Sequence, residues 1–277
     1  MSSSTSPTYT NAPLPLLSTP RFETGKVGRI QQPPSMPNPR LTKDDWSLQD
    51  DPFTIEASHM ALSHNAFIRG FNSIYQQAPR LKLPADKSDF VGYCLAWMEC
   101  VEIHHHYEET ALFPSIDKAA GQKGLMDAAV HEHETFYSGL DRMKKYLRDK
   151  GSSFAAGELL AIMDSFKEAL HSHLKSEPPA IAALAKYDTA EHPIDIAKIA
   201  NAAGRSQITW RALFNTLPVF FLNMETATFE DGIWHDVFPP LKGVVRVIML
   251  RLVPMWHPGR WRFTSCSHDG RVKPLAV

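Results

Sequence analysis

Cysteine is nearly absent from this 277-residue chain, with only Cys94, Cys100 and Cys266 present. The count is odd, and Cys94 and Cys100 fall nearly two turns apart on one expected helix, too far to bridge. A disulfide scaffold is excluded, and a reducing, cytoplasmic compartment is the expectation. Long apolar runs are also missing. No stretch reaches the ~18 uninterrupted apolar residues of a membrane-spanning helix. The opening "MSSSTSPTYTNAPLPLLSTPRF" has neither a charged start nor a long apolar core, so no secretory leader is expected. Charge of one sign is lacking too: 29 Lys and Arg stand against 30 Asp and Glu, with a pI near 6.9. That balance gives no electrostatic case for nucleic acid or for an anionic membrane surface. No repeat of solenoid type is visible.

What is present is enough apolar material for a core, 43% of the chain. Residues 1–50 are rich in Ser, Thr and Pro and read as a disordered arm. Four stretches then follow the 3.6-residue helical period, at about 53–77, 89–113, 125–149 and from 155 to about 187. Ser88 or Asp89 is a plausible N-cap for the second, and Gly151 a stop for the third. Short connections favour antiparallel neighbours, so residues 51–187 are expected to form an all-α, up-down-up-down four-helix bundle. Residues 188–277, with scattered prolines such as Pro218, Pro239, Pro240, Pro254 and Pro258 and with aromatic clusters, read as a mostly helical or irregular extension packed on the bundle. Within it, "GVVRVIMLRLVPMW" reads as a packed helix rather than a membrane anchor, because it is short and carries Arg246 and Arg251.

The informative stretch is "VEIHHHYEETALFPSI", residues 101–116. Each of the four helical stripes contains one histidine: His64, His105, His133 and His173. Two of these have a glutamate one turn later, Glu109 after His105 and Glu177 after His173, on the same helix face. Counting from the expected turns at ~1.5 Å per residue brings the four histidines to one level, with mismatches of only ~0–5 Å. A lone histidine on an apolar face is ordinarily a satisfied core residue. Two buried carboxylates, however, each cost several kcal/mol without a counter-charge, and no Lys or Arg occupies the neighbouring stripe positions. A bound cation resolves the difficulty. Imidazole and carboxylate donors suit iron, manganese or zinc and argue against a thiolate site. Six side chains exceed what one structural zinc takes, whereas two metals bridged by carboxylates would use them all. A second arrangement uses the Glu-x-x-His spacings Glu102–His105 and Glu168–His171, but leaves His64 and His133 unexplained. His104 and His106 flank the stripe and read as outward-facing or supporting.

The segments "SHNAFIRGFNSI", "HHHYEETALFP", "HEHETFYSGL" and "HSHLKSE" resemble the hemerythrin-like, HHE cation-binding family over about residues 53–187. The tail segments "TFEDGIWHDVFPPL" and "WRFTSCSHDGRVKPL" resemble the C-terminal extension of fungal members. The resemblance implies a four-helix bundle around a non-heme di-iron centre, oxo- or hydroxo-bridged. It implies one iron on His64 and His105, the other on His133 and His173, with Glu109 and Glu177 bridging. Two departures stand out. Ala129 replaces a histidine of respiratory members one turn before His133, which implies more open coordination. Pro178 and Pro179 follow Glu177 directly, where proline disturbs the preceding helical turn.

Three functions are compatible with this reading: a di-iron protein that binds or senses O2 or iron, a di-iron redox enzyme acting on a small organic, polyketide-like metabolite, and a metal-stabilised interaction protein. In the enzyme reading Glu102 or Tyr137 relays protons; otherwise they support ligands by hydrogen bonds.

Overall fold

The computed structural model describes residues 13–18, 51–206, 209–241 and 243–277. The protein is all-α. Its elements are α1 (Pro52–Gln77), α2 (Pro84–Tyr107), a π turn (Glu108–Leu112), α3 (Phe113–Ala120), α4 (Asp127–Lys150), α5 (Ala156–Asp164) and α6 (Lys167–Ala183). Shorter helices follow: α7 (Ile196–Ser206), α8 (Trp210–Asn215), α9 (Leu217–Phe221), α10 (Gly243–Val247) and α11 (Pro258–Trp261). Among the described residues there is no strand beyond one isolated bridge, Cys266 with Val272.

Local chemistry sets the helix ends. The Asp51 carboxylate accepts from the backbone N–H of Phe53 at 3.1 Å and Thr54 at 3.0 Å, with Pro52 in the first helical position. The α2 helix also opens on a proline, Pro84, and so starts a turn earlier than Ser88 or Asp89 would place it. The rod continues past residue 113 through the π turn into α3, and Gly121 stops it at φ 64°. The fourth rod is broken into α5 and α6 at Ser165 and Phe166.

The four rods bury one main apolar cluster, including Phe71, Trp97, Phe136, Leu140 and Leu170. A second, with Phe53, Leu112, Ile116 and Ile181, caps the other end. The layer between them holds the polar residues described below. The C-terminal segment joins the main cluster through Val219, Leu222, Trp261 and Phe263. Gln77 donates to the Phe263 carbonyl at 2.9 Å and accepts from Ala276 N–H at the same distance.

Two expectations change. Most of the expected arm lies outside the described residues, but residues 13–18 are docked. Leu14 is buried and its N–H donates to Asn72 at 2.7 Å, as Leu17 N–H does to Asn65. Residues 243–256 are helical but only thinly packed: Met249 and Val253 are buried, while Val244, Val245, Leu252, Met255 and Trp256 are exposed. Among the described residues no helix is long and apolar enough to cross a membrane.

Candidate metal centre

The polar layer consists of five imidazoles and two carboxylates, all buried: His64 from α1, His104 and His105 from α2, Glu108 from the π turn, His133 from α4, and His173 and Glu177 from α6. They form two groups. His105, Glu108, His133 and His173 can each offer one atom within 4.8 Å of the others, and so can His64, His104, Glu108 and Glu177. Glu108 belongs to both. Its Oε1 lies 2.9 Å from His104 Nε2 and its Oε2 lies 3.7 Å from His133 Nε2. Glu177 Oε2 also spans the groups, 3.2 Å from His64 Nε2 and 3.8 Å from His173 Nε2.

Three imidazoles are held from behind. His133 Nδ1 is 2.6 Å from Glu109 Oε1, His173 Nδ1 is 3.2 Å from Glu132 Oε2, and His64 Nδ1 is 2.7 Å from the Leu174 carbonyl. A carboxylate or carbonyl can only accept, so each Nδ1 carries the proton and each Nε2 presents a lone pair to the layer. These nitrogens face one another: His64 and His104 at 3.0 Å, His133 and His173 at 3.1 Å. Between His133 and His173, whose Nδ1 protons are both committed, two lone pairs meet at 3.1 Å, and a cation between them would relieve the repulsion.

The prolines after Glu177 contribute. Pro178 has no N–H, so the carbonyl four residues earlier, Leu174, loses its helical donor. His64 Nδ1–H takes that place. Both prolines are accommodated inside α6, and Glu177 is buried at the layer.

The layer meets the physical test for a cation site. Both ring nitrogens of His105 are buried without a hydrogen-bond partner, and orphaned polar atoms of this kind are costly; the buried Glu108 and Glu177 carboxylates face imidazole nitrogens, whose charging burial disfavours. Burial pushes the His104 and His105 imidazoles well below their usual range, which keeps them neutral and able to donate lone pairs. Burial, with the charge of Glu177 close by, pushes Glu108 well up. Bound cations reverse that last effect by favouring both carboxylates ionised. Donors, charge and geometry all fit divalent metal.

Of the six residues expected from sequence, His64, His105, His133, His173 and Glu177 come together here. Glu109 does not join either group. It is partly exposed, and it accepts from His133 Nδ1 and from the Tyr137 hydroxyl at 3.4 Å. Glu108 stands where Glu109 was expected, and His104 faces inward beside it. The reason is helical phase. The buried positions along α2 and the π turn include Cys94, Met98, Val101, His105 and Glu108, so the carboxylate that shares the inward face lies three residues after His105, not four. The His105 ring centroid is 4.3 Å from that of His133 and 4.9 Å from that of His173. The groups therefore carry three and two imidazoles, not two each. The Glu-x-x-His arrangement does not form: Glu102 pairs with Lys144 and Glu168 is exposed.

The helical bundle thus gathers buried imidazoles and carboxylates from all four rods into two groups that could hold a metal ion. Residues 57–179 match the model of the hemerythrin HHE cation binding domain. The chain is also similar to a curated protein of Cryptosporiopsis sp. (strain 8999), "Dimeric xanthone biosynthesis cluster protein R11". The two are 28% identical over 221 residues, covering 79% of this chain and 81% of the relative. No solved structure matches.

Proposed function

We propose that the domain holds two iron ions side by side and binds O2 there. One rests on His64, His104, Glu108 and Glu177, the other on His105, His133 and His173, with Glu108 shared. The observation that carries this reading is Glu108, a fully buried carboxylate in reach of both nitrogen groups. Imidazole with carboxylate and no thiolate favours iron over softer metals. A pair of irons supplies two adjacent one-electron couples, which O2 binding or reduction draws on. The protein's part is to fix the donors. Glu109, Glu132 and the Leu174 carbonyl hold three imidazoles in one tautomer. Phe67 and Phe136 pack against His104 and His105 and keep water from the layer.

A second reading makes the centre a redox enzyme acting on a small organic, polyketide-like metabolite. It is favoured by the relative's place in a fungal biosynthesis cluster. Here Tyr137, hydrogen-bonded to Glu109 behind His133, is the group placed to move a proton outward.

Metal analysis and spectra under anaerobic and aerobic conditions test both. Two irons per chain and an O2 signal that reverses on degassing support the first reading. O2 consumption that needs an organic co-substrate supports the second. A metal-free protein of unchanged stability contradicts both.

A further inference from the structure

A groove of about 530 Å3 lies on the outer side of α2, walled by α4 and by the C-terminal segment. Its size is that of a pocket for a small organic ligand. Four cationic side chains line it: Lys144 and Arg148 from α4, Arg211 from α8 and Arg260 from α11. Two carboxylates from α2 face them, and both are already engaged. Glu99 pairs with Arg211 at 3.0 Å, and Glu102 pairs with Lys144. Arg148 and Arg260 are left with no hydrogen-bonding or ionic side-chain partner among the described residues. Arginine does not lose its charge, so the groove keeps two uncompensated positive groups.

The floor has a different character. It is made by Leu95, Ala96 and Gly92, which offer an apolar strip with no polar side chain. Gly92 is needed there. A Cβ on it would come 2.4 Å from Arg260 Nε, so any larger residue would push this guanidinium away from the helix. Arg260 is itself held at the base, because its neighbour Trp261 is buried in the main core. An apolar strip flanked by two free guanidinium forks matches a flat organic body bearing a carboxylate.

We propose that this groove binds a flat organic carboxylate, with its apolar body on Gly92, Leu95 and Ala96 and its carboxylate on Arg148 and Arg260. The site is separate from the metal layer. The two share no residue, and Glu102, the groove residue one turn before His105, has its carboxylate committed to Lys144. Binding therefore does not depend on which metal the centre holds.

The test is calorimetric titration of the full-length, metal-loaded protein with 2-naphthoate, and with the uncharged 2-naphthalenemethanol as its control. Saturable binding of the naphthoate is expected, at least ~10-fold tighter than the alcohol, since a charge-assisted bidentate pair is lost in the alcohol. The double variant R148Q/R260Q should weaken naphthoate at least ~10-fold with metal content unchanged. The variant G92L, which blocks the floor from the other side, should do the same. Equal binding of acid and alcohol overturns the proposal, as does full affinity in both variants. So does a naphthoate-induced change in the metal's absorption that R148Q/R260Q leaves intact, because the anion would then sit on the metal.

Discussion

At the scale of single residues, the account separates two adjacent glutamates. Glu108 is buried between both nitrogen groups, while Glu109 stands behind His133. Glu108→Ala should therefore abolish metal binding at both positions, measured as metal per chain after dialysis. Glu109→Gln should keep both metals but weaken them by ~10–100-fold, the usual effect of losing an outer partner of a ligand histidine. His106 is exposed, and His106→Ala should leave metal content unchanged, whereas His105→Ala should not. Acid should release the metal, because protons compete for the same lone pairs; a metal content that stays constant as pH falls through the imidazole range would contradict this. The sequence already carried the ambiguity, since "HHHYEE" offers His104–Glu108 and His105–Glu109 at one spacing. Only the phase of the apolar residues behind it, Cys94, Met98 and Val101, decides which glutamate faces in.

At the scale of elements, α6 shows a helix whose defect is used. Pro178 frees the Leu174 carbonyl, and His64 of α1 donates to it. Pro178→Ala restores a competing N–H. Two effects of opposite sign should follow. The metal-free protein should become more stable, by up to ~3 kcal/mol, since an interior proline is removed. Metal affinity should fall, by about tenfold or more, since His64 loses its anchor. Calorimetry and a chelator competition read the two separately, and a gain or loss in both would contradict the account. The four rods and the level of their histidines were legible from apolar period and turn spacing. The carbonyl partner of His64 was not, because its identity depends on how α1 and α6 approach each other.

For the whole molecule, the C-terminal segment and the bundle share one core. Phe263 packs edge-on against Phe90 with ring centroids 5.1 Å apart, and its carbonyl is taken by Gln77. Phe263→Ala should cost ~3–5 kcal/mol of stability in chemical denaturation, the penalty of a core aromatic. A loss below ~1 kcal/mol would mean that the segment rests on the surface. The proline-rich composition of residues 188–277 pointed to irregular structure, and aromatic content to packing, but sequence separation hid which bundle residues receive it. Metal should stabilise the whole fold by mass action. Chelation is expected to lower the melting temperature and to leave the helical signal below the transition intact.

The central claim is a pair of cations sharing Glu108, and anomalous scattering at the iron edge from crystals of the metal-loaded protein tests it most directly. The account predicts two peaks, one beside His64 and His104 and one beside His105, His133 and His173, with the Glu108 carboxylate touching both. A single peak, or peaks that Glu109 rather than Glu108 contacts, would contradict it.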